Sequence, residues 1–215
     1  MLDYNEALKR PFTDVKKLLI GLVLSIIPII NFIASGYQLK CSKSIIKKGK
    51  NMYMLPEWTN WGNLFLVGLV SFFISLIYFI PALLLIFFFV GKDFLTNLST
   101  LTYESLGFMA IIIVVISLIT LFVLPMALVK YSINEKFGDA FKFIEIFSKS
   151  LTWKYTAAWI FTLIILLVLN LVLSWLVIPV NFTGVDKINL GGSFANFISL
   201  VTGFTLFGKA YSEIK

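Results

Sequence analysis

Four long apolar stretches dominate the pattern of hydrophobic and polar positions along the chain. They cover residues 63–90, 106–129, 155–178 and 190–210, and Lys209 is the one charged residue within them. A helix needs about 20 consecutive apolar residues to cross the hydrocarbon core of a bilayer. The pattern therefore predicts an all-α fold, a polytopic transmembrane helix bundle with four full spans, in a single integral membrane domain that covers residues 1–215.

A fifth apolar stretch, residues 18–39, has lysine on both flanks and is interrupted by Pro28 and Asn31. Proline removes a backbone donor and blocks the preceding helical turn, so two interpretations stay open, a kinked span or a re-entrant hairpin. A kinked span places basic residues outside, whereas a hairpin keeps both flanks in the cytosol, where positive charge is preferred. We favour the hairpin, with residues 1–17 as an N-terminal interfacial segment.

Residues 132–151 form an amphipathic pattern between two of the spans. Ser132 and Glu135 have the spacing of a capping box, and apolar residues recur every three or four positions after them while charged residues fill the other side. This predicts an amphipathic helix in the cytoplasmic headgroup layer with its phenylalanines inward. Its role is either an elbow that fixes helix spacing, which we favour, or a lipid-sensing lever.

Composition and charge place the chain in lipid and orient it. Of the 215 residues, 59% are hydrophobic and 13% are charged, and the net charge is +7; soluble domains are about 25% charged. Lysines are concentrated in the connectors at 40–62 and 130–154, and positive connectors lie in the cytoplasm. This predicts a protein of the cytoplasmic (cell) membrane with a cytoplasmic C-terminus. Its expected partners are membrane lipids and a protein partner in the membrane, with no nucleic acid.

Few residues are suited to catalysis or to metal binding. Histidine is absent, Cys41 is the single cysteine, and neither a phosphate-binding loop nor a nucleophile motif occurs. The commonest general base and metal ligand is therefore missing, and we expect no cofactor, no metal site, no catalytic residue and a free thiol. An enzyme would need Glu57 to meet Asp14 or Glu145 in a cleft.

The run from Leu55 to Asn63 contains the best candidate for a contact site. A carboxylate, two indoles and an amide just before a long span are suited to a lipid headgroup or a partner, and they belong to Glu57, Trp58, Asn60 and Trp61. The other interpretation, which we favour, is that the tryptophans anchor the helix at the interface and that Thr59 or Asn60 caps it.

Small residues in the last span predict close helix packing. Ala195, Ser199 and Gly203 recur at four-residue spacing, so they share one helix face that another helix can approach closely. We favour packing within the bundle over a dimer interface.

Several motifs add a family resemblance. The run LPEWTNWGNLFLVGL, preceded by YNEALKRPFTDVKKLLIGLVLSIIPIINFIASGYQLKCSKSIIKKG, resembles the DUF4013 family of archaeal and bacterial integral membrane proteins, and LIYFIPALLL and the closing LFGKAY are similar to it as well. The resemblance extends over nearly the whole chain. It implies the membrane architecture, but no activity and no catalytic residue. Thr59 and Asn60 stand where acidic residues are expected in many members.

Together these patterns predict a non-enzymatic membrane scaffold or an accessory subunit of a membrane complex. The alternative is a small permease or lipid-handling carrier with a cavity between helices, in which Asn31, Tyr78, Asn170 and Asn196 supply polar contacts. A polar cavity open to one face would favour the carrier, and a closed bundle would favour the scaffold.

Overall fold

The computed structural model of the chain describes residues 2–47, 52–88, 103–182 and 185–214. In chain order the elements are α1 (Tyr4–Lys9), a first 3₁₀ turn (Arg10–Phe12), α2 (Val15–Ile26), α3 (Asn31–Ile46), α4 (Trp61–Ile86), α5 (Tyr103–Asn134), a second 3₁₀ turn (Phe137–Phe141), α6 (Phe143–Ser150), α7 (Trp153–Leu173), β1 (Val177–Phe182), β2 (Val185–Asn189) and α8 (Leu190–Glu213). The fold is all-α, with one short β-hairpin between the last two helices.

Among the described residues, four helices are long and apolar enough to cross a bilayer, namely α4, the part Ala110–Asn134 of α5, α7 and α8. The predicted transmembrane helix bundle is thereby confirmed, and the chain is a multi-pass membrane protein. Two helices extend beyond their predicted ends, α5 as far as Asn134 and α8 as far as Glu213. The predicted end of the first span at 89–90 and the connector at 91–102 lie outside the described residues.

The predicted span over 155–178 is wrong in its last turn. Helix α7 ends at Leu173, and β1 pairs antiparallel with β2 in the stretch that follows. Proline disfavours the helical region for the residue before it, so Pro179 directs residue 178 into extended backbone, which β1 continues. The connector after this span is therefore a hairpin that leads directly into α8.

Helices α2 and α3 form a helical hairpin whose turn coincides with the predicted break. Helix α2 ends at Ile26, Ile29 adopts a left-handed φ of 70°, and α3 begins at Asn31. The ammonium groups of Lys17 in α2 and Lys40 in α3 both donate to Glu57, to its carboxylate and to its backbone oxygen, each over 2.6 Å. The chain therefore reverses direction, and a single kinked span, which would separate the two lysines, does not describe it.

Each arm of this hairpin is too short to cross a bilayer. Helix α2 has 12 residues and α3 has 16, or about 18 and 24 Å at 1.5 Å per residue. The hydrocarbon core is about 30 Å thick. Chain reversal and arm length are both what a re-entrant hairpin requires, and its position in a bilayer remains a prediction.

The predicted amphipathic helix over 132–151 is not continuous. Ser132 lies in the last turn of α5, so the Ser132–Glu135 pair ends one helix instead of capping the next, and Glu135 itself adopts a left-handed φ of 58°. Helix α5 continues past its apolar stretch because Val129 and Tyr131 are buried against neighbouring helices. The second 3₁₀ turn and the short helix α6 then form the connector to α7.

Helix α8 is the central helix of the bundle. It is the least hydrophobic of the four spans, yet 61% of its apolar window is buried, against 11% for α7 and 17% for α4. In lipid, the helices on the outside must be the most apolar, while a helix that contacts other helices carries small and polar residues. The lower hydropathy of the last stretch therefore indicates its place inside the bundle.

The described ion pairs lie at one end of the bundle, where α3, α5 and α8 end and α4 and α7 begin. Lys43 pairs with Glu135 over 2.5 Å, Lys130 with Glu145 over 2.7 Å, and Lys154 with Glu213 over 3.0 Å. We call this the charged end. Its residues stand just outside the apolar windows, so water and headgroups can solvate them.

Helices α3 and α4 cross at a pair of glycines. A Cβ atom on Gly36 would lie 2.0 Å from the backbone oxygen of Leu64, and one on Gly68 would lie 1.8 Å from that of Phe32. Both distances are far below any van der Waals contact, so only glycine permits this approach. The crossing brings α3 close enough to α4 for the two helices to share cavities with α5.

Arg10 joins the N-terminal segment to the bundle. Its guanidinium is fully buried, and its five N–H groups all donate, to the backbone oxygens of Met54 and Cys41 and to the hydroxyls of Ser44 and Thr205. These partners belong to α3, to α8 and to the stretch before α4. Because Arg10 binds several elements at once, it fixes the position of α3 from the side opposite α4.

Candidate functional site

A cavity of about 310 Å³ opens at the charged end between α3, α4 and α5. We call it the lysine cavity, because Lys40, Lys43 and Lys47 line it with Glu135 as the one carboxylate among the lining residues. The three lysines lie on one face of α3 because their spacing follows the helical repeat. The volume falls at the lower end of the range of small-molecule sites.

The three ammonium groups differ in how far their charge is compensated. Lys43 is paired with Glu135, which also accepts from the side-chain amide of Asn63 over 3.2 Å. Lys40 donates only to uncharged oxygens, the backbone oxygen of Glu57 and the hydroxyl of Thr59. Lys47 is exposed and makes no hydrogen bond or ion pair with any described residue. The cavity therefore carries an excess of positive charge.

Two pKa shifts reflect this arrangement. Burial lowers the pKa of Lys40, and the neighbouring Lys17 acts in the same direction. Partial burial opposes ionisation of Glu135, but hydrogen bonds from Lys43 and Asn63 hold its pKa below the usual value of a glutamate. Lys40 and Lys47 form no ion pair with a carboxylate of any described residue. An anion that entered the cavity would therefore compensate their charge without displacing a carboxylate.

A second cavity, of about 400 Å³, lies deeper between α3, α4, α5 and α8. We call it the inner cavity. Leucine and phenylalanine side chains form most of its lining, and its polar lining residues are Asn31, Ser35, Gln38, Ser71 and Ser75. Leu39 lines both cavities, so the two are adjacent along α3.

The protein-family models match residues 20–178 of the chain, with the model described as protein of unknown function (DUF4013). This match covers most of the chain. The chain belongs to the DUF4013 family. No curated protein and no solved structure matches it.

In this DUF4013 protein the matched region includes the run from Leu55 to Asn63 and the three helices that form the lysine cavity. Residues 4–19 of the N-terminal run and the closing stretch over 206–211 lie outside the match. Their predicted resemblance to DUF4013 remains a prediction.

Of the four residues predicted as a contact site, one lines the lysine cavity. Asn60 does so at the start of α4, with a left-handed φ of 57° and no side-chain capping bond. The carboxylate of Glu57 faces Lys17 instead, with 74% of its side chain exposed. Trp58 stacks on Tyr37 with ring centroids 3.7 Å apart and donates to the backbone oxygen of Lys17.

Trp61, the fourth predicted residue, stacks against Trp58 at a centroid distance of 5.7 Å and is 44% exposed. Tyr37 also donates to the backbone oxygen of Pro56 over 2.8 Å. The aromatic rings therefore hold the stretch before α4 against α2 and α3, while its Glu57 backbone oxygen and Thr59 hydroxyl supply Lys40 with acceptors. That the two tryptophans anchor the helix at the membrane interface remains a prediction.

The acids named for an enzyme occupy two different places. Asp14 and Glu57 both pair with Lys17, over 3.4 and 2.6 Å, whereas Glu145 binds Lys130 and Tyr211. None of these three acids lines a described cavity.

Of the four polar residues named for a carrier, Asn31 lines the inner cavity. Tyr78 donates to the backbone oxygen of Ala140 over 2.7 Å, Asn170 bonds within its own helix, and Asn196 is exposed on α8. All the polar lining residues of the inner cavity come from α3 and α4, and apart from Asn31 they were not predicted as carrier contacts.

The small residues predicted for helix packing all lie in the core. Ala195 and Ser199 are fully buried, and a Cβ atom on Gly203 would lie 2.6 Å from the side chain of Thr162 in α7. They lie on the central helix, and Gly203 faces another helix of the same chain.

Gln38 and the lysines at positions 40, 43 and 47 are the site residues that the sequence did not predict. A signal existed, since the lysines recur at helical spacing. It was hidden by the assignment of residues 40–62 to a connector, whereas α3 continues to Ile46.

Proposed function

We propose that this DUF4013 protein is a non-enzymatic lipid-binding protein of the cytoplasmic membrane. Its lysine cavity takes the anionic headgroup of a membrane lipid at the cytoplasmic face, which is the charged end. This is the lipid-handling alternative predicted from the sequence, because polar-lined cavities lie between the helices.

The observation that carries the proposal is the charge balance of the lysine cavity. Three ammonium groups and one carboxylate line it, and Lys40 and Lys47 have no carboxylate partner among the described residues. Lysines near the surface of an anionic leaflet contribute about 1 kcal/mol each to lipid binding. The positive-inside bias supports the cytoplasmic assignment of this end.

The test compares lipid binding by two matched double variants. Lys40→Gln with Lys47→Gln removes the unpaired charges of the cavity and leaves the pair of Lys43 with Glu135 intact. Lys16→Gln with Lys136→Gln removes the same charge from exposed positions at the same end. Purified proteins in a non-ionic detergent are titrated with phosphatidylglycerol and with phosphatidylcholine, and retained lipid is counted by native mass spectrometry.

The proposal expects the wild type to prefer phosphatidylglycerol and the cavity variant to bind it about thirtyfold more weakly, which corresponds to 2 kcal/mol. The control variant keeps most of the affinity. Equal binding of the two lipids, or equal losses in the two variants, would refute a headgroup site in this cavity.

The scaffold function predicted from the sequence is the second candidate, and exposed apolar side chains at the charged end favour it. Ile144 is 91% exposed, Leu151 75% and Trp153 80%. A stoichiometric protein recovered after mild detergent extraction, and lost on Ile144→Ser with Leu151→Ser, would support the scaffold. A reproducibly partnerless protein would count against it.

A further inference from the structure

The inner cavity is lined by an amide side chain that makes no hydrogen bond within the described residues. It belongs to Gln38, a residue that is 6% exposed. In a mostly apolar cavity such an amide gains free energy when it finds a hydrogen-bond partner. The serines of the same cavity differ, because Ser35, Ser71 and Ser75 each donate to a backbone oxygen of their own helix.

The inner cavity is adjacent to the lysine cavity and open to the surroundings of the bundle. Leu39 belongs to both linings, and Ser132 and Leu128 place the two cavities one turn apart on α5. Two lining side chains, Phe72 and Leu121, are 44% and 47% exposed. An apolar chain can therefore leave the inner cavity toward lipid while a charged group stays among the lysines.

We propose that the two cavities together bind one anionic glycerolipid, with the phosphate among the lysines and the linkage oxygens within reach of the Gln38 amide. The inference rests on the proposed function and adds the class of lipid. The amide donates to a glycerol linkage oxygen, which gives Gln38 the partner that the protein lacks. The first part of an acyl chain lies against the leucine and phenylalanine side chains.

The chemistry of the linings selects this class over a simple alkyl phosphate. An alkyl phosphate satisfies the lysines, but it places only methylene groups beside Gln38 and leaves the amide unpaired. A glycerolipid has acceptors a few bonds from its phosphate, and Lys40 and Gln38 line the two adjacent cavities from positions two residues apart on α3. One neutral hydrogen bond of this kind contributes about 0.5–1.5 kcal/mol, or roughly a threefold to tenfold difference in affinity.

The experiment measures two probes of similar length on two proteins. The probes are a monoacyl glycerol phosphate with a fourteen-carbon chain and octadecyl phosphate, and the proteins are the wild type and Gln38→Leu. Titrations in a non-ionic detergent give, for each protein, the ratio of its affinities for the two probes. The probes partition differently into detergent, but this difference is the same for every protein, so it cancels when the ratios are compared. Asn196→Leu, an exposed amide on α8, is the matched control.

The expected result is a ratio about threefold to tenfold more favourable to the glycerol phosphate in the wild type and in Asn196→Leu than in Gln38→Leu. An unchanged ratio in Gln38→Leu, with binding that still depends on Lys40 and Lys47, overturns this inference and leaves the headgroup site standing. Failure of both probes to bind, or binding that ignores both lysines, overturns the proposed function and the inference with it. If Gln38→Leu does not fold, the preference of the wild type decides, since equal affinity for both probes overturns the inference.

Discussion

The lysine cavity and the inner cavity share three helices, α3, α4 and α5, yet their chemistry is opposite. In the lysine cavity, Lys40 and Lys43 bind protein oxygens and Lys47 is exposed to solvent. In the inner cavity the lining is mostly apolar, and the amide of Gln38 makes no hydrogen bond with any described residue.

This difference shows how position along a membrane helix decides what a polar side chain can do. At the charged end, water and headgroups can solvate an ammonium group and nearby backbone oxygens can accept its hydrogen bonds, so a lysine without an ion pair is tolerated. One to two turns deeper the surroundings are mostly apolar, and a polar group gains most by binding its own helix or a ligand. The serines of the inner cavity bind their own helix, whereas the amide of Gln38 is available to a ligand.

The largest expected effect comes from separating α3 and α4, which would destroy both cavities. Gly68→Leu places a side chain where the backbone oxygen of Phe32 lies, 1.8 Å from the Cβ position. Overpacking of this kind costs about 3 kcal/mol, so we expect little folded protein and a strongly lowered melting temperature in detergent.

Gly62→Leu provides the control for this experiment, because a Cβ atom there meets nothing within 4 Å. It lies in the first turn of the same helix and should fold normally. Equal stability of Gly62→Leu and Gly68→Leu would mean that the two helices do not approach as described.

The next effect comes from Arg10, which holds α3 from its other side. Arg10→Gln removes both guanidinium bonds to the backbone oxygen of Met54 and one of the bonds to that of Cys41, which still accepts from the Ser44 hydroxyl. Leaving buried acceptors unpaired costs about 2 kcal/mol. We expect a clear fall in melting temperature for Arg10→Gln and almost none for Lys9→Gln, its exposed neighbour.

A smaller effect tests the lysine cavity alone through pH. The folded-state pKa of Glu135 lies below the usual value of 4.5 because Lys43 and Asn63 bind its carboxylate. Its contribution to stability is therefore fully present above pH 4.5 and is lost as the pH falls through the lower folded-state pKa. We expect the wild type to be more stable than Glu135→Gln at pH 7, by at most about 1 kcal/mol.

The two proteins should converge in melting temperature as the pH falls below 4.5. Other carboxylates at the charged end titrate in both proteins, so the difference between them isolates Glu135. A difference that stays constant from neutral to acidic pH would show that the carboxylate of Glu135 does not sense its partners.

The smallest expected effect is a difference in stability between two serine substitutions, one in each cavity. Ser132 is 2% exposed and its hydroxyl lies 3.0 Å from that of Ser42, which joins α5 to α3 in the lysine cavity. Ser132→Ala should cost about 1 kcal/mol. Ser35→Ala in the inner cavity removes only a bond to the backbone of its own helix, so its melting temperature should match that of the wild type. The reverse order of the two melting temperatures would contradict these assignments.

Much of the fold can be predicted from the sequence, because an apolar stretch of about 20 residues has the length of a helix that spans the bilayer. The four spans, the break near Pro28 and the small-residue face of α8 follow from local pattern. The C-terminal ends of α5 and α3 were predicted too early, because packing and side-chain contacts extend both helices. Burial of Val129 and Tyr131 extends α5 beyond its apolar run, and contacts of Lys40 and Lys43 with acceptors keep α3 helical through a charged stretch.

The candidate site was less predictable, because it is made of contacts between residues far apart in the chain. Asn60 was identified, but Glu57 and the tryptophans anchor a loop, and Glu135 reaches Lys43 across 92 positions. The missing partner of Gln38 is visible only once α4, α5 and α8 surround it.

The sequence by itself determined that this is a multi-pass helical membrane protein of the DUF4013 family, with every lysine except Lys209 outside the four long apolar stretches. The bilayer imposes these features locally. Each apolar stretch must match the thickness of the hydrocarbon core, and charged side chains are costly inside that core. Only the tertiary structure decided that α3 folds back beside α4, that two glycines let them touch, and that two cavities of opposite chemistry lie along that contact. Those features depend on distances between helices, which no local pattern contains.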